Sequence, residues 1–222
     1  MKKPKKLFDK KVICPNCHTE FTTKKPISSR LRILESETDG HRIYKDTSPY
    51  LYDMNVCPIC GMAFDEKLNN TLYEEDIAKL INYFSNVKDY SHYCEERKID
   101  DAIRISRLAL LIADIIDEPH TLKGVQNLKT SWLYREKGDI QNEQKYLTAS
   151  KIEFEEAFES EDFEYFGLKT HVLYNILSET CRKLDLYEDA AKYYSKLFRC
   201  ATTPTYMKQK AQNNWLDYNS RE

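Results

Sequence analysis

Two short stretches carry the residue types best suited to chemistry. They are CPNCHTEF at Cys14–Phe21 and CPICGMAF at Cys57–Phe64. Each places two cysteines two residues apart, and 39 residues separate Cys17 from Cys57. A C-x2-C turn can aim both sulfurs at one cation. Two such turns supply four thiolates, the set that tetrahedral zinc prefers. Pro15 and Pro58 stiffen the second position of each turn. Gly61 follows the second pair, where a positive φ lets amides approach a sulfur, and His18 holds that place in the first. The expected site is a closed structural zinc held by Cys14, Cys17, Cys57 and Cys60. Four sulfurs leave no position for a catalytic water.

Other chemistry competes for these residues. Tetrathiolate iron suits the same geometry. CPNCH also fits the haem-attachment pattern, which needs export and an axial partner, and a lone C-x-x-C can be a redox dithiol. Two paired copies in one short segment favour a metal. His41 lies between the pairs and is read as a turn residue with no metal role. His92, His120 and His171 have no defensible metal partners. Cys94, Cys181 and Cys200 fall in or near helical text and are read as buried thiols. The chain has no nucleophile elbow, phosphate-binding glycine loop or H-E-x-x-H pattern, so an enzyme is not expected.

The elements that must position the cysteines are short. Five of the seven prolines fall within residues 1–66 and interrupt any long helix there. Ser29–Glu35 and Pro49–Cys57 read as short strands, and Glu37–Ser48 as a turn-rich connection. From about Leu72 the pattern turns helical. Ile77, Leu80, Ile81 and Phe84 share one face. Asp100 and Asp101 open an apolar-periodic run that Pro119 closes. About seven helices follow one another with short turns, stopped at positions such as Gly138-Asp139. REKGDIQNEQKYL and RKLDLYEDAAKYY share a plan, and RKIDDAIRISRLAL is a weaker copy. Ala102, Glu143 and Ala190 stand at equivalent places, 41 and 47 residues apart, against 34 in a strict tetratricopeptide repeat.

The expected fold class is therefore mainly α: a small zinc-ribbon β-hairpin module over residues 1–66, then a tetratricopeptide-like array of helical hairpins over 67–222. An irregular helical bundle is the alternative. A 60-residue segment buries little surface, so a metal contributing about 10–16 kcal/mol would hold it together. A chelator should then unfold the head and spare much of the helical body.

The composition agrees with such a protein. Charged residues make up 32% and aromatics 12%, without the glycine or proline of a disordered chain. No run of about 18 apolar residues appears, so no membrane span is expected. The basic start lacks an apolar core and a cleavage site, which points to the cytoplasm, where seven cysteines stay reduced. Residues 1–62 carry 12 Lys/Arg against 7 Asp/Glu, a basic head on an acidic body.

Several segments resemble a known family: DKKVICPNCHTEFTTKKPISSRLRI, PYLYDMNVCPICGMA, DDAIRISRLALL, SWLYREKGD, KLDLYEDAAKYYSKLF and AQNNW. It is an uncharacterised bacterial family of unknown function, best represented in Gram-positive anaerobes and their relatives. The resemblance spans nearly the whole chain. It implies a four-cysteine zinc ribbon, with the metal role falling on Cys14, Cys17, Cys57 and Cys60, followed by tetratricopeptide-like helices. His18 stands where the family usually has glycine.

The leading functional expectation is an interaction protein whose helical repeats bind an unknown protein or peptide. Stacked hairpins expose a concave face lined by the first helix of each pair. On the register set by Gly138 and Asp185, that face includes Trp132, Arg135, Asn175 and Arg182. An aromatic beside two arginines suits an acidic or C-terminal peptide. The competing reading puts Trp132 in the core and the arginines in solvent. The alternative function is nucleic-acid binding through Lys2, Lys3, Lys5, Lys6, Lys10, Lys11, Lys24, Lys25 and Arg30.

Overall fold

The computed structural model describes residues 6–66, 72–84, 89–160 and 163–220, with no side-chain description for 82–84. The fold is mainly α with short N-terminal hairpins. Among the described residues six strands pair two by two: β1 (Leu7–Ile13) with β2 (Glu20–Pro26), β3 (Ile33–Ser36) with β4 (Arg42–Tyr44), and β5 (Asn55–Val56) with β6 (Ala63–Phe64). Seven α-helices follow among the described residues. They are α1 (Glu74–Phe84), α2 (Ile99–Ile115), α3 (His120–Lys137), α4 (Ile140–Ser160), α5 (Thr170–Lys183), α6 (Tyr187–Arg199) and α7 (Thr205–Asn219). No helix among the described residues is long and apolar enough to cross a membrane.

Contacts divide the chain into two compact units. The first gathers the described residues of Met1–Leu34, Ile43–Glu118 and Leu133–Gly138. The second gathers those of Glu35–Arg42, Pro119–Trp132 and Asp139–Glu222.

In the first unit, one apolar core joins the cysteine turns to helices. Val12, Phe21, Met54, Val56, Met62 and Phe64 pack with Leu80 of α1 and with Ile105, Ala109 and Ile112 of α2, and Cys14 and Cys57 belong to the same cluster. Burying cysteines among aliphatic side chains excludes water from the sulfurs. Arg97, just before α2, stitches this core to the chain leading into β5. Its Nη1 donates to the carbonyls of Leu51 (3.1 Å) and Met54 (2.7 Å), and its Nε to that of Tyr93 (2.7 Å). Burial pushes its pKa down to about 10.

Two local expectations need correction. Pro49–Tyr52 is a turn of 3-10 helix, not part of a strand, and only Asn55–Val56 is extended before Cys57. Proline sits there at the first helical position, where its fixed φ fits and its missing N–H costs nothing. Likewise Ser28–Arg30 is a 3-10 turn, and the strand begins only at Ile33.

In the second unit, each helix from α4 to α7 packs against the next in the chain, with α5 and α6 in contact along much of their lengths. Helix ends follow backbone rules. Asp185 takes φ +56° after α5, and the Leu186 N–H reaches back to the Cys181 carbonyl (2.9 Å), a left-handed C-cap. Gly124 on α3 allows close approach to α4. A Cβ there would lie 2.6 Å from the Phe154 ring, and Ser150 Oγ donates to the Gly124 carbonyl (2.9 Å).

Candidate metal centre and a second polar constellation

Each cysteine pair is the loop of an antiparallel hairpin, and the two loops are built alike. Val12 pairs with Phe21 across β1–β2, and Val56 with Ala63 across β5–β6. In the first loop the Cys14 N–H donates to the Thr19 carbonyl (3.0 Å) and the His18 N–H to the Cys14 carbonyl (3.0 Å). In the second, the Cys57 N–H donates to Met62 (2.9 Å) and the Gly61 N–H to Cys57 (2.9 Å). Both turns close through a left-handed residue, His18 at φ +56° and Gly61 at φ +76°. Histidine thus adopts the conformation that glycine supplies in the second turn.

The four sulfurs converge. Cys14 Sγ lies 3.5 Å from Cys60 Sγ, and Cys17 Sγ lies 3.6 Å from Cys57 Sγ. All four ligand atoms fall within 4.8 Å of one another. A regular tetrahedron with zinc–sulfur bonds of 2.3 Å has edges of about 3.8 Å, so the cluster has the size of a metal site. Polar hydrogens point at it as well. The amides of Asn16 and Cys17 donate to Cys14, those of Ile59 and Cys60 to Cys57, and that of Met62 to Cys60. Such donors favour negative sulfur. Proton sharing within the cluster is uneven. The hydrogen bond from Cys14 holds the Cys60 thiol well below its usual range, and the same bond, with burial, raises Cys14. Burial pushes Cys57 up to about 11. Four thiols this close cannot all ionise alone, and a divalent cation would displace their protons together.

Gly61 is needed for space as well as for φ. A Cβ there would stand 2.6 Å from Tyr90 Cε2. Gly61→Ala should therefore cost about 2 kcal/mol through left-handed strain and displacement of Tyr90. Urea titration of the metal-replete chain checks this.

The other cysteines and His41 lie elsewhere. Cys94 and Cys181 are buried thiols, whereas Cys200 is only half-buried, beside Thr202 Oγ1 (3.2 Å). His41 is buried in the second unit. Its Nδ1 lies 2.7 Å from Glu37 Oε2, and its ring stacks on Trp132 with centroids 5.4 Å apart.

That stacking belongs to a second polar constellation, made by the connection between β3 and β4 and by helices of the second unit. Trp132 Nε1 donates to Asp39 Oδ2 (3.2 Å), and Asn175 Nδ2 to the Thr38 carbonyl (3.0 Å). Arg182 Nη2 approaches Thr38 Oγ1 (3.3 Å), and Lys210 Nζ approaches the carbonyls of Ser36 (3.4 Å) and Glu37 (3.5 Å). Beneath them sits Glu179, fully buried. Its Oε2 accepts from Arg182 Nε (3.0 Å) and Nη2 (2.9 Å) and from the Thr38 hydroxyl. Its Oε1 accepts from Tyr194 Oη (2.5 Å) and Asn214 Nδ2 (2.8 Å). Three of the residues chosen from helix register, Trp132, Asn175 and Arg182, thus meet on one short segment. Arg135 follows on α3, half-buried and engaged in contacts of its own. Sequence reasoning did not single out Thr38, Asp39, Glu179 or Tyr194.

The basic head is largely paired. Lys6 bonds Asp46 (3.1 Å), Lys10 bonds Glu66 (2.7 Å), Lys11 bonds Glu20 (2.9 Å) and Lys24 bonds Asp9 (2.5 Å). Lys25 points inward to the Tyr52 carbonyl (2.5 Å). Burial, reinforced by Arg97, lowers its pKa to about 8. Lys2, Lys3 and Lys5 lie outside the described residues.

Twin cysteine hairpins whose sulfurs form a cation-sized cluster, ahead of successive packed helices, define a mainly α protein with a four-thiol module able to hold a metal ion. The chain belongs to the family described as an uncharacterized protein conserved in bacteria (DUF2225), whose model matches residues 7–218. No curated protein and no solved structure matches it.

Proposed function

We propose that this is a non-catalytic interaction protein. Cys14, Cys17, Cys57 and Cys60 hold a structural zinc, and a tetratricopeptide-like helical groove binds a peptide segment of a partner protein. Closed sulfur ligation suits zinc as a fold-holding ion. Seven free cysteines suit a reducing, cytoplasmic setting.

The observation that carries the binding role is the manner in which residues 36–41 are held. Asn175 and Lys210 address their backbone carbonyls, while Trp132, Arg182 and Glu179 address the side chains of Asp39 and Thr38. Contacts to backbone carbonyls do not depend on the bound sequence and contacts to side chains do, and reading an extended peptide takes both. Trp132, Arg182, Lys210 and Lys183, whose Nζ lies 3.8 Å from Glu37 Oε1, favour an acidic segment with a Thr-Asp turn. The carboxylate partners of Lys6, Lys10, Lys11 and Lys24 give the nucleic-acid alternative less support.

A synthetic peptide spanning residues 34–43 tests the groove in trans. It should bind the full-length double variant Thr38→Ala/Asp39→Ala in the micromolar range and lose that binding when Asn175→Ala is added. Absence of binding to the double variant, read by calorimetry, counts against a peptide groove.

A further inference from the structure

The first unit contains an open cleft of about 610 Å³ at the base of the β3–β4 hairpin, lined by none of the four clustered cysteines. Four cationic side chains line it, Lys6, Arg30, Arg32 and Lys45, against one carboxylate, Asp46. That carboxylate is already bonded to Lys6. Arg32 and Lys45 flank the two strands, one just before β3 and one just after β4, and the Lys45 N–H donates to the Arg32 carbonyl (2.9 Å). Two like charges brought together at the base of a hairpin oppose its closure. No carboxylate among the described residues relieves this pair. A local rule broken without a compensating contact is characteristic of a binding site.

We propose that this cleft binds a small phosphate-bearing molecule. Arg32 offers a planar fork matched to phosphate oxygens, and Lys45 adds a point charge beside it. The volume is that of a small-molecule site. Leu31 and Ile27 supply an apolar wall for an aliphatic body. No aromatic side chain among the described residues lines the cleft, so the stacking platform used to hold nucleic-acid bases is missing there. The proposal is independent of the peptide groove, because every lining residue belongs to the first unit.

The test uses the full chain, glycerol 3-phosphate as probe, and glycerol and a ten-nucleotide oligothymidylate as comparisons. NMR titration should give saturable shifts confined to amides near residues 29–32 and 45–47 with glycerol 3-phosphate, and none with glycerol. Arg32→Gln and Lys45→Gln should each weaken binding about ten- to a hundredfold, the loss of one charge-assisted bond. Without ligand, both variants should melt at or above the temperature of the parent, because each removes the like-charge opposition. Lower melting temperatures in both would make the pair structural and overturn the proposal. So would a failure of the phosphate to saturate, or binding indifferent to both substitutions. Tighter binding of the oligonucleotide at the same amides would replace the small molecule with a nucleic-acid strand.

Discussion

Cys57→Ser should remove the bound metal and unfold most of the first unit, the larger of the two major effects expected. The parent chain, purified under reducing conditions, should carry one zinc per molecule by elemental analysis. The variant should carry none. Cys57 is fully buried and its turn closes through Gly61 and Met62, so a serine there leaves a ligand position open in a site closed to water. The metal's share in small modules is on the order of 10–16 kcal/mol, more than a domain's ordinary net stability. The structure changes what should follow. The sequence reading has a chelator spare the helical body, yet Leu80 of α1 and Ile105, Ala109 and Ile112 of α2 share the core that contains Cys14 and Cys57. Hydrogen exchange in the variant should therefore accelerate through α1 and α2 as well as residues 7–34, while α4–α6 keep their protection. A parent protein free of transition metal, or a variant with unchanged exchange, would sink the structural-zinc reading.

What the sequence discloses depends on how far apart the interacting residues lie. The cysteine pairs are legible because each turn is closed within six residues and the chemistry is written in residue type. The seven helices are legible because α2, α5 and α6 repeat apolar positions at helical spacing. The hairpin β1–β2 is not, since LFDKKVI buries only Val12 well and its alternation is faint. Pro49–Tyr52 reads as extended because two tyrosines and a leucine carry strand propensity, but the proline at its head sets a helical φ. Register on α3 and α5 is enough to find Trp132, Asn175 and Arg182. It cannot find what they touch. Thr38 and Glu179 are 141 residues apart, and nothing local in either neighbourhood marks the pairing. A glutamate inside the amphipathic run of α5 reads as solvent-facing until Tyr194 and Asn214 are seen to close over it.

Glu179 is where the second large effect is expected. A fully buried carboxylate is tolerated only when its oxygens are satisfied, and here five donors from four residues on three helices and the β3–β4 connection do so. Glu179→Ala would strand the Arg182 guanidinium, the Tyr194 hydroxyl and the Asn214 amide at once. Breaking a buried ion pair from one side costs about 3–5 kcal/mol. Glu179→Gln should cost less, about 1–3 kcal/mol. One amide oxygen can still accept from Arg182 and Thr38, and the Tyr194 hydroxyl can rotate to accept from the new NH2. Thr38→Val removes a single donor and should cost about 1 kcal/mol. The order Ala, Gln, Val in urea midpoints is the prediction. The two Glu179 variants should also expose residues 35–42 to limited proteolysis in proportion to their destabilisation, because Thr38 loses its acceptor in Glu179→Ala and keeps only a weaker, neutral one in Glu179→Gln. Equal midpoints for Glu179→Ala and the parent would mean that this network does not hold the segment, and that residues 36–41 stay in place through other contacts, those of Trp132, Asn175 and Lys210 among them.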